Sequence, residues 1–161
     1  FRIYTSEDIY GVQVGAAIKN VIAIASGICI GLKLGDNTQA ALVSRGMNEI
    51  LELQKVYNIN INTFYGLSGL GDLIATCYSK YSRNRNLGIL IGKGSSLNDA
   101  VNDIGMVSEG VNSTKILNAI INKNSLNMPI CQEIYKILYN SYDPENSIIN
   151  LMNRSLKDES N

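Results

Sequence analysis

Histidine and tryptophan are missing from this 161-residue chain, and phenylalanine and proline occur only twice each. Without histidine, Ser-His-Asp and Cys-His nucleophile machinery and ordinary zinc sites are excluded. An aromatic platform for stacking nucleic-acid bases has little to be built from. Charge is scarce and balanced: 14 basic and 14 acidic residues cancel, and only 17% of the chain is charged. That leaves no electrostatic handle on nucleic acid or an anionic membrane. Low charge beside 45% hydrophobic residues suggests that another domain or subunit covers part of the surface. The three cysteines, Cys29, Cys77 and Cys131, are odd in number and far apart. They read as buried thiols in a reducing compartment, so neither disulfides nor a metal site is expected. No signal peptide or targeting tail is recognisable. Any acid–base chemistry therefore falls to lysine and carboxylates.

What the chain does have is a long apolar run with a cation inside it. Residues 9–30 read IYGVQVGAAIKNVIAIASGICI, where only Gln13, Lys19, Asn20 and Ser26 are polar. This composition describes a helix buried on nearly all sides. A lysine there loses hydration at a cost of several kcal/mol unless a partner or a purpose offsets it. Gly11, Gly15, Ala23, Ser26 and Gly27 lie at spacings that place small residues near Lys19. They predict a trough where a ligand or another backbone comes close. The plain alternative is a lysine that snorkels to solvent. A membrane span fits poorly, because Lys19 and Asn20 fall near the centre and flanking anchors are missing.

Almost everything else is predicted helical. Residues 6–8 open the apolar helix, and Gly31 with Gly35 closes it. Asp36 is expected to cap a second long helix running to about Val56. Short helices are expected at 63–67, 71–77, 83–91 and 97–104, and a longer one at 111–122. Pro129 sits in the first turn of a helix ending near Tyr139. Asp143-Pro144-Glu145 supplies a cap, a proline at the first helical position and an acid on the positive dipole end. Residues 1–5 have strand propensity with nothing to pair with, and one short strand makes no sheet. They are expected to be the end of an upstream sheet. The expectation is one all-α domain with a tail, residues 157–161, that frays.

Two glycine-rich segments invite nucleotide-binding readings and fail both. Gly66-Leu67-Ser68-Gly69-Leu70-Gly71-Asp72 has the order GxxGxG and no preceding strand. Gly88 to Gly94 is one residue short of a P-loop and has glycine where a serine or threonine would hold magnesium. Asp72 is placed after the first of these glycine-rich segments, expected to be a flexible loop, at or near a helix start, with Thr76 one turn on; the plain reading is an N-cap. Ser82-Arg83-Asn84-Arg85 opens a helix with a serine cap, free N–H groups and a guanidinium, an anion pocket suited to phosphate. Its plain reading is an exposed capped helix with solvated arginines. Together, Lys19, Asp72 and the anion pocket describe a site for a small phosphorylated molecule whose reacting oxygen meets the lysine.

These segments carry a resemblance. Gly15-Ala16-Ala17-Ile18-Lys19-Asn20-Val21, Leu34-Gly35-Asp36-Asn37 and the GLSGLGDL run ending at Leu73 come first. Ser82-Arg83-Asn84-Arg85 and Val107-Ser108-Glu109-Gly110-Val111 follow in order. The set resembles the carboxy-terminal domain of NAD(P)-dependent glycerol-3-phosphate dehydrogenases of the bacterial type. The resemblance implies a multi-helical substrate-binding domain, similar to the helical half of 6-phosphogluconate dehydrogenase-like enzymes, spanning residues 7–156. Residues 1–6 would end an upstream Rossmann domain. It implies interconversion of glycerol 3-phosphate and dihydroxyacetone phosphate by NAD or NADP, in a cytoplasmic, dimeric enzyme feeding phospholipid synthesis. It assigns Lys19 as catalytic and Lys19, Asp72, Ser82, Arg83 and Asn84 as substrate contacts. Arg83, Val107 and Glu109 become cofactor contacts, with Asn20 and Thr76 in support. The rivals are a sister dehydrogenase acting on another hydroxy acid and a non-enzymatic helical interaction domain.

Overall fold

The computed structural model describes residues 2–106 and 108–155. Phe1 of the expected strand stub, Val107 of the expected cofactor contacts and the tail expected to fray lie outside the described residues. Residues 2–7 carry no regular secondary structure and are exposed.

The apolar run forms α1 (Ile9–Gly31), and its second half is sealed: residues 20–29 are all buried. Asp8 caps it, accepting from the Gly11 N–H at 2.9 Å. A second Asp8 oxygen accepts from the Asn60 N–H at 3.0 Å, which ties the helix start to the chain 52 residues on. By length and hydropathy α1 could cross a bilayer, yet 72% of its most apolar window is buried inside the domain. Six of the described helices pack on it: α2 (Asp36–Glu52), α3 (Ile61–Tyr65), α4 (Asp72–Tyr78), α5 (Arg83–Gly92), α7 (Glu109–Asn124) and α8 (Pro129–Asn140), while α6 (Leu97–Ile104) packs on α5 and α9 (Pro144–Met152) on α8. Among the described residues there is no strand, as the all-α expectation requires. The three thiols are free and buried.

The closest neighbour of α1 is α5, and glycine makes the approach possible. A Cβ on Gly27 would collide with the Arg85 carbonyl, and one on Gly88 with the Ile24 carbonyl. One turn on, Gly31 and Gly92 repeat the arrangement against Ile89 and Ile28 carbonyls. The segment that superficially suggested a P-loop is thus a helix-crossing surface. Because Gly27 meets Gly88 and Gly31 meets Gly92, the two helices run in the same sense. The residues before each crossing therefore lie on one side of it, which brings the start of α5 toward Lys19.

α2 differs from the sequence reading at both ends. Gly35, in extended conformation, holds the cap position of α2, and Asp36 is its first helical residue. Its carboxylate acts on the dipole, not as the cap. The helix also ends at Glu52, passing into a short 3₁₀ turn, Leu53–Lys55. The glycine-rich segment expected to be a flexible loop is instead a π-helical turn, Leu67–Gly71, leading straight into α4. It is held because a Cβ on Gly69 would overlap the Phe64 backbone, and because the Ser68 carbonyl rests on Gly15 of α1.

A buried carboxyl joins α2 to α8. Glu49 accepts from the N–H groups of Ile130 at 2.6 Å and Cys131 at 3.0 Å, the free donors at the start of α8. Burial raises its pKa from 4.5 to about 7, against those two donors, which lower it. The folded chain thus holds this proton more tightly than the unfolded chain. The group's stabilising contribution is complete below about pH 4.5 and is lost as pH rises through 7. Glu49→Gln, which cannot titrate, should flatten this limb of the stability–pH curve between those two values. Urea midpoints measured across the range check it.

Candidate active site

Lys19 projects from the middle of α1 and forms an ion pair with Asp72, the first residue of α4. The lysine side chain is 20% exposed and the aspartate 38%, so the pair sits at the boundary between core and solvent. The π-helical turn aims Asp72 at the amine, since it packs against α1 at Gly15, one helical turn before Lys19. Thr76 steadies the aspartate: its Oγ1 donates to the Asp72 carbonyl at 2.6 Å and lies 3.3 Å from Oδ1.

Beside this pair lies an open cleft of about 470 Å³ lined by residues of α1, α4, α5 and α7. It gathers Lys19, Asn20, Thr76, Ser82, Arg83, Asn84 and Glu109, seven of the residues singled out in the sequence. Asp72 reaches it through Lys19. Ser82 caps α5, its hydroxyl accepting from the Arg85 N–H at 3.3 Å. The positive end of α5 therefore faces the cleft with Arg83 beside it. Arg83 is exposed, and among the described residues its guanidinium makes one hydrogen bond, to the Met106 sulfur at 3.9 Å. Asn20 is buried and links two elements: its Nδ2 donates to the Ala16 carbonyl at 3.1 Å and to Glu109 Oε2 at 3.3 Å. An ammonium, a guanidinium and a helix N-terminus around one open space can neutralise and orient a small anion.

The family model for the C-terminus of NAD-dependent glycerol-3-phosphate dehydrogenase matches residues 8–149, nearly all of the helical array. The chain belongs to this family. The glycerol-3-phosphate dehydrogenase [NAD(P)+] of Clostridium botulinum (strain Alaska E43 / Type E3) is 50% identical over 159 residues, 99% of this chain and 48% of that protein. A crystal structure of glycerol-3-phosphate dehydrogenase from Coxiella burnetii superposes with a TM-score of 0.92 at 39% identity. It covers 96% of this chain and 47% of that one. The Plasmodium falciparum glycerol-3-phosphate dehydrogenase gives a TM-score of 0.85 at 25% identity, over 98% of this chain and 46% of that one. The chain spans about half the length of the curated relatives it matches.

Within this family domain the room beside Lys19 is not where the small residues first suggested. Gly15 is filled by the Ser68 carbonyl and the Phe64 ring, and Gly27 by the α5 backbone. Ala23 and Ser26 are buried, and the Ser26 hydroxyl donates to the Cys77 carbonyl at 3.2 Å. Gly11 faces Asp8 and Ile59. The open side is made by Ala16 and Ala75, with Ser79 and Tyr81 at the rim. Sequence reasoning passed over these four. Ala16 sits three residues before Lys19 and had a usable signal in its spacing; the others depend on how α4 folds over α1.

Removing the α5 cap by Ser82→Ala should lower stability by about 0.5–2 kcal/mol. Chemical denaturation of the chain checks it; an unchanged midpoint would mean that the cap contributes nothing.

Proposed function

We propose that this chain is the substrate-binding, lysine-bearing half of an NAD(P)-linked enzyme that interconverts sn-glycerol 3-phosphate and dihydroxyacetone phosphate. The observation that carries the reading is one cleft shared by the Lys19 amine and the capped, arginine-flanked start of α5. A phosphate monoester suits helix-end N–H groups and a guanidinium. With its phosphate there, a three-carbon substrate offers its secondary oxygen to Lys19. The family and the names of its relatives support the same chemistry.

As the carbonyl is reduced, negative charge grows on its oxygen. The Lys19 ammonium stabilises that charge and delivers the proton. In the other direction a neutral Lys19 accepts the proton of the hydroxyl. Asp72 holds the amine in place, and Thr76 holds Asp72. Asn20 keeps the Glu109 carboxylate near α1.

The donor set fits a dinucleotide. Arg83 and Glu109 line the cleft and are exposed, a cation for phosphate and a carboxylate for a hydroxyl or amide. They would hold NAD or NADP on this side, and the nicotinamide, when bound, supplies or takes the hydride. Val107, the third expected contact, lies outside the described residues. On this reading residues 1–6 end an upstream nucleotide-binding domain and residues 7–156 form the helical one. The assembly is a cytoplasmic homodimer that supplies a phospholipid precursor.

The deciding experiment assays the intact dehydrogenase with glycerol 3-phosphate against 3-hydroxy acids. Turnover of the second alone would sink the reading. Lys19→Ala should lower kcat about a hundred- to ten-thousandfold, and a near-normal rate would overturn the acid–base assignment. Arg83→Ala should cost about 2–4 kcal/mol in kcat/KM, the scale of a lost charged contact. Steady-state kinetics on purified variants measures both.

A further inference from the structure

The start of α7 is capped from another helix. Ser108 occupies the cap position but makes no side-chain capping bond. The Gly110 N–H, one of the donors that a helix start leaves unpaired, is instead taken by Asn84 Oδ1 at 3.0 Å. Asn84 is 8% exposed, so its carboxamide is nearly enclosed. A backbone N–H can only donate, so this contact decides which end of the carboxamide faces which way: oxygen toward α7, NH₂ away from it. Nothing among the described residues takes that NH₂, and Asn84 lines the cleft beside Ser82 and Arg83.

The approach needs glycine. A Cβ at position 110 would lie 2.7 Å from Asn84 Oδ1, 2.8 Å from the Asn20 carbonyl and 2.8 Å from Ile24 Cδ1. A side chain there would push α7 off α1 and break the contact that orients Asn84.

We propose that Gly110 is a positioning residue for the substrate's phosphate. Its N–H fixes the Asn84 carboxamide with the donor end in the cleft, and its missing side chain lets α7 come close enough to do so. The proposal rests on the phosphate-monoester reading above. It gives Asn84 a definite polarity: a hydrogen-bond donor to an anion, matched to phosphate oxygens, which accept.

The test is a double-mutant cycle in the intact dehydrogenase, with KM and kcat for glycerol 3-phosphate and competitive inhibition by inorganic phosphate as readouts. Gly110→Ala should raise KM and the phosphate inhibition constant about tenfold, the scale of a lost hydrogen bond to a charged group, with a smaller change in kcat. In an Asn84→Ala background the same substitution should raise KM less, because no carboxamide remains to be misdirected and only the displacement of α7 by Asn20 and Ile24 is left. An unchanged KM, or an equal rise in both backgrounds, overturns the assignment while leaving the substrate reading intact. If the unsubstituted enzyme does not turn over glycerol 3-phosphate, the substrate reading falls and this proposal falls with it. Should Gly110→Ala not fold, Asn84→Asp decides. It keeps an acceptor for Gly110 but puts an oxygen where the NH₂ was, so its KM should exceed that of Asn84→Ala. A KM equal to or below it counts against the donor role.

Discussion

The site depends on two helices whose backbones touch. At Gly27 against Gly88, and again at Gly31 against Gly92, α1 and α5 approach without side chains between them. Lys19 lies eight residues before Gly27, about 12 Å along α1, and the first residues of α5 lie a little over one turn before Gly88. Because the helices run in the same sense, these distances are laid off on the same side of the crossing. The amine and the serine-capped start of α5 are therefore set relative to each other by rigid backbone rather than by loops.

The second constraint is electrostatic. A cation in the middle of an apolar helix must be compensated, and here the compensation is a carboxylate at the start of a short helix, delivered by a π-helical turn. The pair is neither fully enclosed nor free in water. A fully buried pair would be costly to rearrange, and an exposed one would be screened. At this depth the charges interact strongly enough to fix the amine, while the amine stays reachable from the cleft.

Much of this was legible from local chemistry. The buried span of α1, the proline-led starts of α8 and α9 and the serine cap of α5 follow from residue types acting within one turn of themselves. Lys19 could be named because it breaks an apolar run, Asp72 and Thr76 from their spacing at a helix start, and Ser82 with Arg83 as a capped, basic helix start, whereas Asn84 was pointed to by the family resemblance. What escaped depends on long-range packing. Gly15 and Gly27 share spacing with the residues that flank Lys19, and only the folded partners show that backbone occupies both. The turn before α4 read as a flexible loop because its order comes from Phe64 and from α1, not from its own glycines. Glu49 was not singled out, because the two N–H groups that need it lie 81 and 82 residues further on. Asn20 and Glu109 were each singled out, but nothing in the chain announced that they touch.

The bare-backbone crossing also limits how such a cleft can be retuned. Where helices meet through glycine, there is no side-chain volume to trim or enlarge, and any added atom shifts two walls of the pocket together. The open side and its rim are different: Ala16, Ala75, Ser79 and Tyr81 each belong to a single wall and can change size or polarity alone. A protein built this way can alter what it admits at such positions while the backbone crossing that places its amine stays fixed.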